Sequence, residues 1–103
     1  MQLFDVQKGT LRVHDDLYWD AEDDFEKAVT ALLESKEKNL TLDLTRVNFI
    51  FSPFMGHIVR FCVTAKEKGK NVRVIIGKQI ESIFKSSGLI GELPVFVAAQ
   101  NGA

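Results

Sequence analysis

The side chains that could do chemistry are few and badly spaced for most of it. His14 and His57 are the only histidines, and neither has a second ligand beside it at metal-binding spacing, so the sequence offers no metal site. Cys62, the only cysteine, falls within an apolar run and reads as a buried, inert thiol rather than a nucleophile. Asp20, Glu22 and Asp24 have the spacing of a calcium loop, but Phe25 stands where that loop needs glycine and Ala31 where it needs its bidentate glutamate. The 7 glycines are scattered singly, which leaves no phosphate-cradling loop, and Ser52 lacks the flanking glycines of a nucleophile elbow. No catalytic residue, metal or cofactor is expected, and the chain is read as a non-enzyme.

One constellation keeps chemical interest. Ser52 followed by Pro53 marks a helix start: serine as the cap, and proline at a first-turn position where its missing amide costs nothing. Around it Phe49, Phe51, Phe54 and Met55 gather apolar surface. Strand alternation puts Phe49 and Phe51 on one side and Ile50 on the other. The sequence leaves open whether Phe51 or Phe54 is exposed as an interface anchor or whether both pack under the first helix.

The elements that position these residues follow from periodicity. Residues 3–6 and 11–13 are two apolar runs around a Lys8-Gly9 turn, a hairpin. Asp20 is a suitable N-cap for a helix over 20–35, with acids in its positive first turn and Ala21, Phe25, Ala28, Val29, Leu32 and Leu33 as its stripe. Residues 40–44 alternate as a strand and run on through Val47, Phe49 and Phe51 into the loop before Ser52. The helix from Pro53 carries apolar residues too widely for one stripe and ends near Lys66, Lys68 and Gly69, so it is expected to be largely buried. A strand over 71–76, a helix over 79–87 closed by Gly88, and an edge strand over 94–97 complete the chain, with a frayed tail over 98–103. Strands alternating with helices after a hairpin predict an α/β fold: a mixed, mostly parallel sheet of about five strands with three to four helices packed on it.

Composition agrees with one globular domain over 1–103: 46% hydrophobic and 26% charged residues. No internal disulfide can form from one cysteine, and the lone thiol suits the cytoplasm. No window approaches a membrane span, so no membrane insertion is expected. The formal net charge of −1 gives no general pull toward nucleic acid, and the basic stretch over 66–73 has no interleaved aromatics. Seven acids and no base stand between Asp15 and Glu26, which reads as solvated surface.

With these residues in place, the segment over 40–96 resembles the STAS domains of bacterial anti-sigma-factor antagonists. The runs LTLDLTRVNFIFSPFMGHIV, KGKNVRVI and IFKSSGLIGELPVF carry the likeness, with Asp43, Leu44, Val47, Phe49, Ile50, Ser52, Gly56, Ser87, Gly88 and Leu89 on the family's positions. The first 35 residues match only in the order of elements. The resemblance implies a STAS-like fold and a bacterial signalling or transcription-regulation module, binding another protein of anti-sigma-factor, kinase-like or scaffold type. The family's loop reads acid, two small hydroxyl residues, glycine, and its second hydroxyl accepts the regulating phosphate. Here the four positions are Phe51, Ser52, Pro53 and Phe54, so the phosphoacceptor position is held by Pro53, which cannot be phosphorylated. Ser52, or Thr45 nearby, is the alternative acceptor. The partner-binding residues the likeness implies are Phe51, Ser52, Pro53, Phe54, Met55 and Gly56, and a homodimer stays open. The alternative reading is a STAS subunit of a membrane transport system, or a small-ligand or lipid-binding domain.

Overall fold

A computed structural model of the chain describes residues 3–88, 91 and 93–98. Leu89 and the tail over 99–103 lie outside the described residues.

The chain opens with the expected hairpin, β1 (Phe4–Gln7) and β2 (Thr10–Val13). Its two-residue turn holds Lys8 and Gly9 at φ of 48° and 81°, the positive values that match the twist of paired strands. Only glycine fits the second place, since a Cβ there would sit 2.7 Å from the Asn39 carbonyl oxygen.

A tight 3-10 turn over Trp19–Ala21 leads into α1 (Glu22–Glu34). Asp20 was expected to cap this helix; it lies inside the 3-10 turn, and α1 has no side-chain cap. The turn makes a cap unnecessary, because the Ala21 and Glu22 amides donate to the Tyr18 and Trp19 carbonyls. At the other end Ser35 closes the helix, its hydroxyl donating to the Leu32 carbonyl at 2.8 Å.

Then follow β3 (Asn39–Leu44), α2 (Pro53–Glu67), β4 (Asn71–Ile76), a second 3-10 turn over Lys78–Ile80, α3 (Glu81–Ser86) and β5 (Val95–Val97). The sheet order is β1-β2-β3-β4-β5, with β1 antiparallel to β2 and every other pair parallel. This is the mixed α/β sheet with three helices that the sequence predicts. The strand after Pro94 lies at the sheet edge, where proline's missing donor is tolerated.

Alternation divides the sheet into two faces. Leu11, Val13, Leu40, Leu42, Leu44, Val74 and Ile76 form an apolar face with almost no exposed surface, against which Phe25, Leu32, Phe54, Ile58 and Phe61 of α1 and α2 belong to the same core. Each such side chain contributes roughly 1.5–3 kcal/mol by leaving water. The opposite face carries Arg12, Thr41, Asp43 and Arg73, joined across strands by Arg12–Asp43 at 3.2 Å and Arg73–Thr41 at 3.3 Å. The broad burial expected of α2 is corrected to a single face: Phe54, Met55, Ile58, Phe61, Cys62 and Ala65 are buried, while Val63 is 48% exposed. That spacing repeats every three or four residues, and β-branched Val63 falls on the outer side.

Candidate functional site

The segment between β3 and α2 is tied down from two sides. Leu17 is fully buried and bridges in parallel to Ile50, donating its amide to the Phe49 carbonyl at 2.9 Å and accepting from the Phe51 amide at 2.8 Å. Beside it one oxygen of Asp16 accepts the Asn48 amide at 2.7 Å and the Phe49 amide at 3.1 Å. From below, the Gln79 side-chain amide donates to the carbonyls of Thr45 and Val47. The loop that presents the α2 start therefore has its backbone groups largely spoken for.

At the helix start itself Ser52 and Pro53 are exposed. Ser52 was expected to cap α2 with its hydroxyl; its backbone is already helical, with φ −54° and ψ −34°, and its side chain makes no capping bond. The helix is closed by main chain instead, the Phe54 amide donating to Phe51 and the Met55 amide to Ser52, both at 2.9 Å. Pro53 has no amide, so the first three helical positions offer no free donor to an anion.

The four aromatic and thioether side chains separate cleanly. Phe54 has no exposed surface and meets Phe25 of α1 edge to face, with ring centroids 5.2 Å apart. Met55 is buried and Phe51 half-buried against the core, while Phe49 is 44% exposed. Of the six residues expected to meet a partner, Ser52, Pro53 and Gly56 are exposed, Phe51 partly so, and Phe54 and Met55 face inward. Phe54 as an exposed anchor is thus excluded; α1 covers it. A Cβ added at Gly56 would meet nothing within 4 Å, so the helix face beside Pro53 is open ground.

Other expected features find ordinary places. Thr45 donates its hydroxyl to Asp43 at 2.7 Å. His57 is half-buried where α2 crosses α1, 3.5 Å from Glu22 and in contact with Glu26, which also takes Arg60 at 3.3 Å. Burial pushes the Cys62 thiol up to about 11, as for an inert core cysteine. Among the described residues no group of three or more histidine, cysteine or acidic side chains is placed to hold a metal. Nor is any described helix long and apolar enough to cross a membrane.

One group escaped the sequence reading. Tyr18 stacks on Phe49 with centroids 5.1 Å apart at 24°, Trp19 meets Tyr18 edge-on at 6.4 Å, and the three are 45%, 44% and 69% exposed. The available signal was Tyr18-Trp19 standing between Asp16 and Asp20, off the helical stripe that begins at Ala21.

The model of the STAS domain family matches residues 4–101. Among solved structures, the crystal structure of a candidate anti-sigma factor antagonist from Thermotoga maritima superposes with a TM-score of 0.70, covering 96% of this chain and 87% of that one at 15% sequence identity. At that identity the likeness is one of fold. No curated protein sequence matches the chain significantly.

Proposed function

The chain belongs to the STAS domain family, and from that premise we propose that it is a non-enzymatic protein-binding module of the anti-sigma-factor-antagonist type, cytoplasmic and bacterial. It binds its partner at the exposed start of α2, around Ser52, Pro53 and Gly56, without phosphorylation control. The observation that carries this reading is Pro53, exposed at the position where the family places its phosphoacceptor. It removes both the hydroxyl and one amide donor, while Phe51 and Ser52 carbonyls occupy the next two amides. A helix start without free donors gains nothing from a nearby phosphate, so the bound and free states are set by partner concentration alone. The solved neighbour, itself described as a candidate anti-sigma factor antagonist, supports the class of partner.

The test uses the open space at Gly56. Tagged wild type retains a partner protein from lysate of the source cells, and Gly56→Trp, which adds bulk on the exposed face and leaves the melting temperature within a few degrees, loses it. Equal retention by both proteins would remove the α2 start from the interface. A ligand-binding role is the second reading, favoured by a groove of about 450 Å³ between α2 and β4, lined by Cys62, Val63, Lys66, Lys70, Val72 and Pro94. A thermal-shift screen of fatty acids and other anionic amphiphiles separates the two, since a ligand of the native state raises the melting temperature by mass action.

A further inference from the structure

The exposed aromatic group lies beside the α2 start but outside the residues assigned to it, and its surroundings define what it would take. Tyr18 borders a surface hollow of about 350 Å³ whose wall includes Leu3, His14, Asp15, Asp16 and Asp20. The hollow thus has an aromatic side, an apolar contribution from Leu3 and three carboxylates. Asp15 gives one oxygen to the Asp16 amide at 2.7 Å, and Asp16 gives one to the amides of Asn48 and Phe49. Among the described residues no lysine or arginine forms an ion pair with any of the three, and Arg46 lies 3.4 Å from His14 in the hollow's wall.

The rings are held before any partner arrives. The Leu17–Ile50 bridge and the Asp16 bonds to 48 and 49 fix the two strips of backbone from which Tyr18 and Phe49 project. A rigid platform of exposed rings loses little rotamer freedom on binding.

We propose that Tyr18, Trp19 and Phe49, with Asp15, Asp16 and Asp20, form a docking socket for an arginine-bearing cationic segment of a partner protein. A guanidinium stacks on an aromatic face and at the same time presents a planar fork of donors to carboxylates, so this pairing of rings with acids suits arginine better than any other side chain. Charge selects against the other occupants. A second copy of this chain meeting itself across a two-fold axis would set the acids against their own counterparts, and an anionic lipid surface would repel them. The inference rests on the protein-binding reading and adds a second contact, with its own chemistry, to the α2 start.

The experiment is selection of random peptides displayed against the full chain, followed by titration of the enriched synthetic peptides by fluorescence anisotropy at low and moderate salt. Trp19 is the only tryptophan and meets Tyr18 of the hollow edge-on, so its emission reports binding beside it. Expected are enriched sequences carrying arginine that shift Trp19 emission. Their affinity should fall at least tenfold on Trp19→Ala and on Asp20→Asn, both exposed positions, and should weaken with salt. Enrichment of uncharged or acidic peptides, no enrichment, or arginine peptides whose affinity neither variant changes would overturn the socket. If a cellular partner is lost on Gly56→Trp while cationic peptides ignore Trp19→Ala, the module reading stands and the socket alone falls.

Discussion

Phe54 and Phe49 stand five positions apart and do opposite things, and the difference can be measured one residue at a time. Phe54 is wholly enclosed and braced against Phe25, so Phe54→Ala removes its transfer energy and leaves a cavity between α1 and α2; urea denaturation should show a loss of about 3–5 kcal/mol. Phe49→Ala, at a site 44% exposed, should cost well under half as much. Asp43 adds a pH dependence. Burial raises its carboxyl, but the Thr45 amide and hydroxyl and the Arg12 guanidinium outweigh burial and hold it below its usual value. A carboxyl depressed by folding contributes stability above its unfolded value, near 4, and that contribution is lost as pH falls through the folded value. Asp43→Asn should therefore be less stable than wild type at pH 7, with the gap closing as pH falls below about 4; a gap independent of pH would show that the ionised form is not what Thr45 and Arg12 stabilise.

Elements were more legible than their ends. The Lys8-Gly9 turn, the helix start at Pro53 and the edge strand after Pro94 were readable because glycine and proline limit the backbone by covalent geometry alone. The turn carries a prediction: Gly9→Ala forces a Cβ onto positive φ and against the Asn39 carbonyl, and should cost roughly 2 kcal/mol in thermal or urea unfolding, without change in the far-ultraviolet spectrum of the folded state. The caps were misread for one reason in both helices. Asp20 and Ser52 have the right side chains, yet a tight turn runs into each helix and satisfies its amides from main-chain carbonyls, a choice set by how the preceding loop approaches and not by the residue type. The width of the apolar surface on α2 misled in a similar way, because composition does not say which side of a helix the sheet covers.

For the whole molecule, the order of strands, helices and turn residues sufficed for the fold, since a hairpin followed by alternating strands and helices leaves few sheet orders open. The candidate site was only half legible. The proline at position 53 is legible directly, whereas the aromatic platform depends on Leu17 pairing with Ile50, 33 positions further along the chain, a contact that no local period reveals. The domain keeps the family's architecture, starts α2 at a proline with the next two amides taken by main-chain carbonyls, and sets an acidic aromatic face beside it. Constitutive binding is tested by isolating the chain from its source cells with whatever it binds, determining the intact mass of the bound and free fractions, and repeating the capture after phosphatase treatment. Unmodified chain is expected in both fractions, with the same partner retained with and without phosphatase. Stoichiometric phosphate on Ser52 in the free fraction, absent from the bound fraction and removed with restored binding, would contradict it.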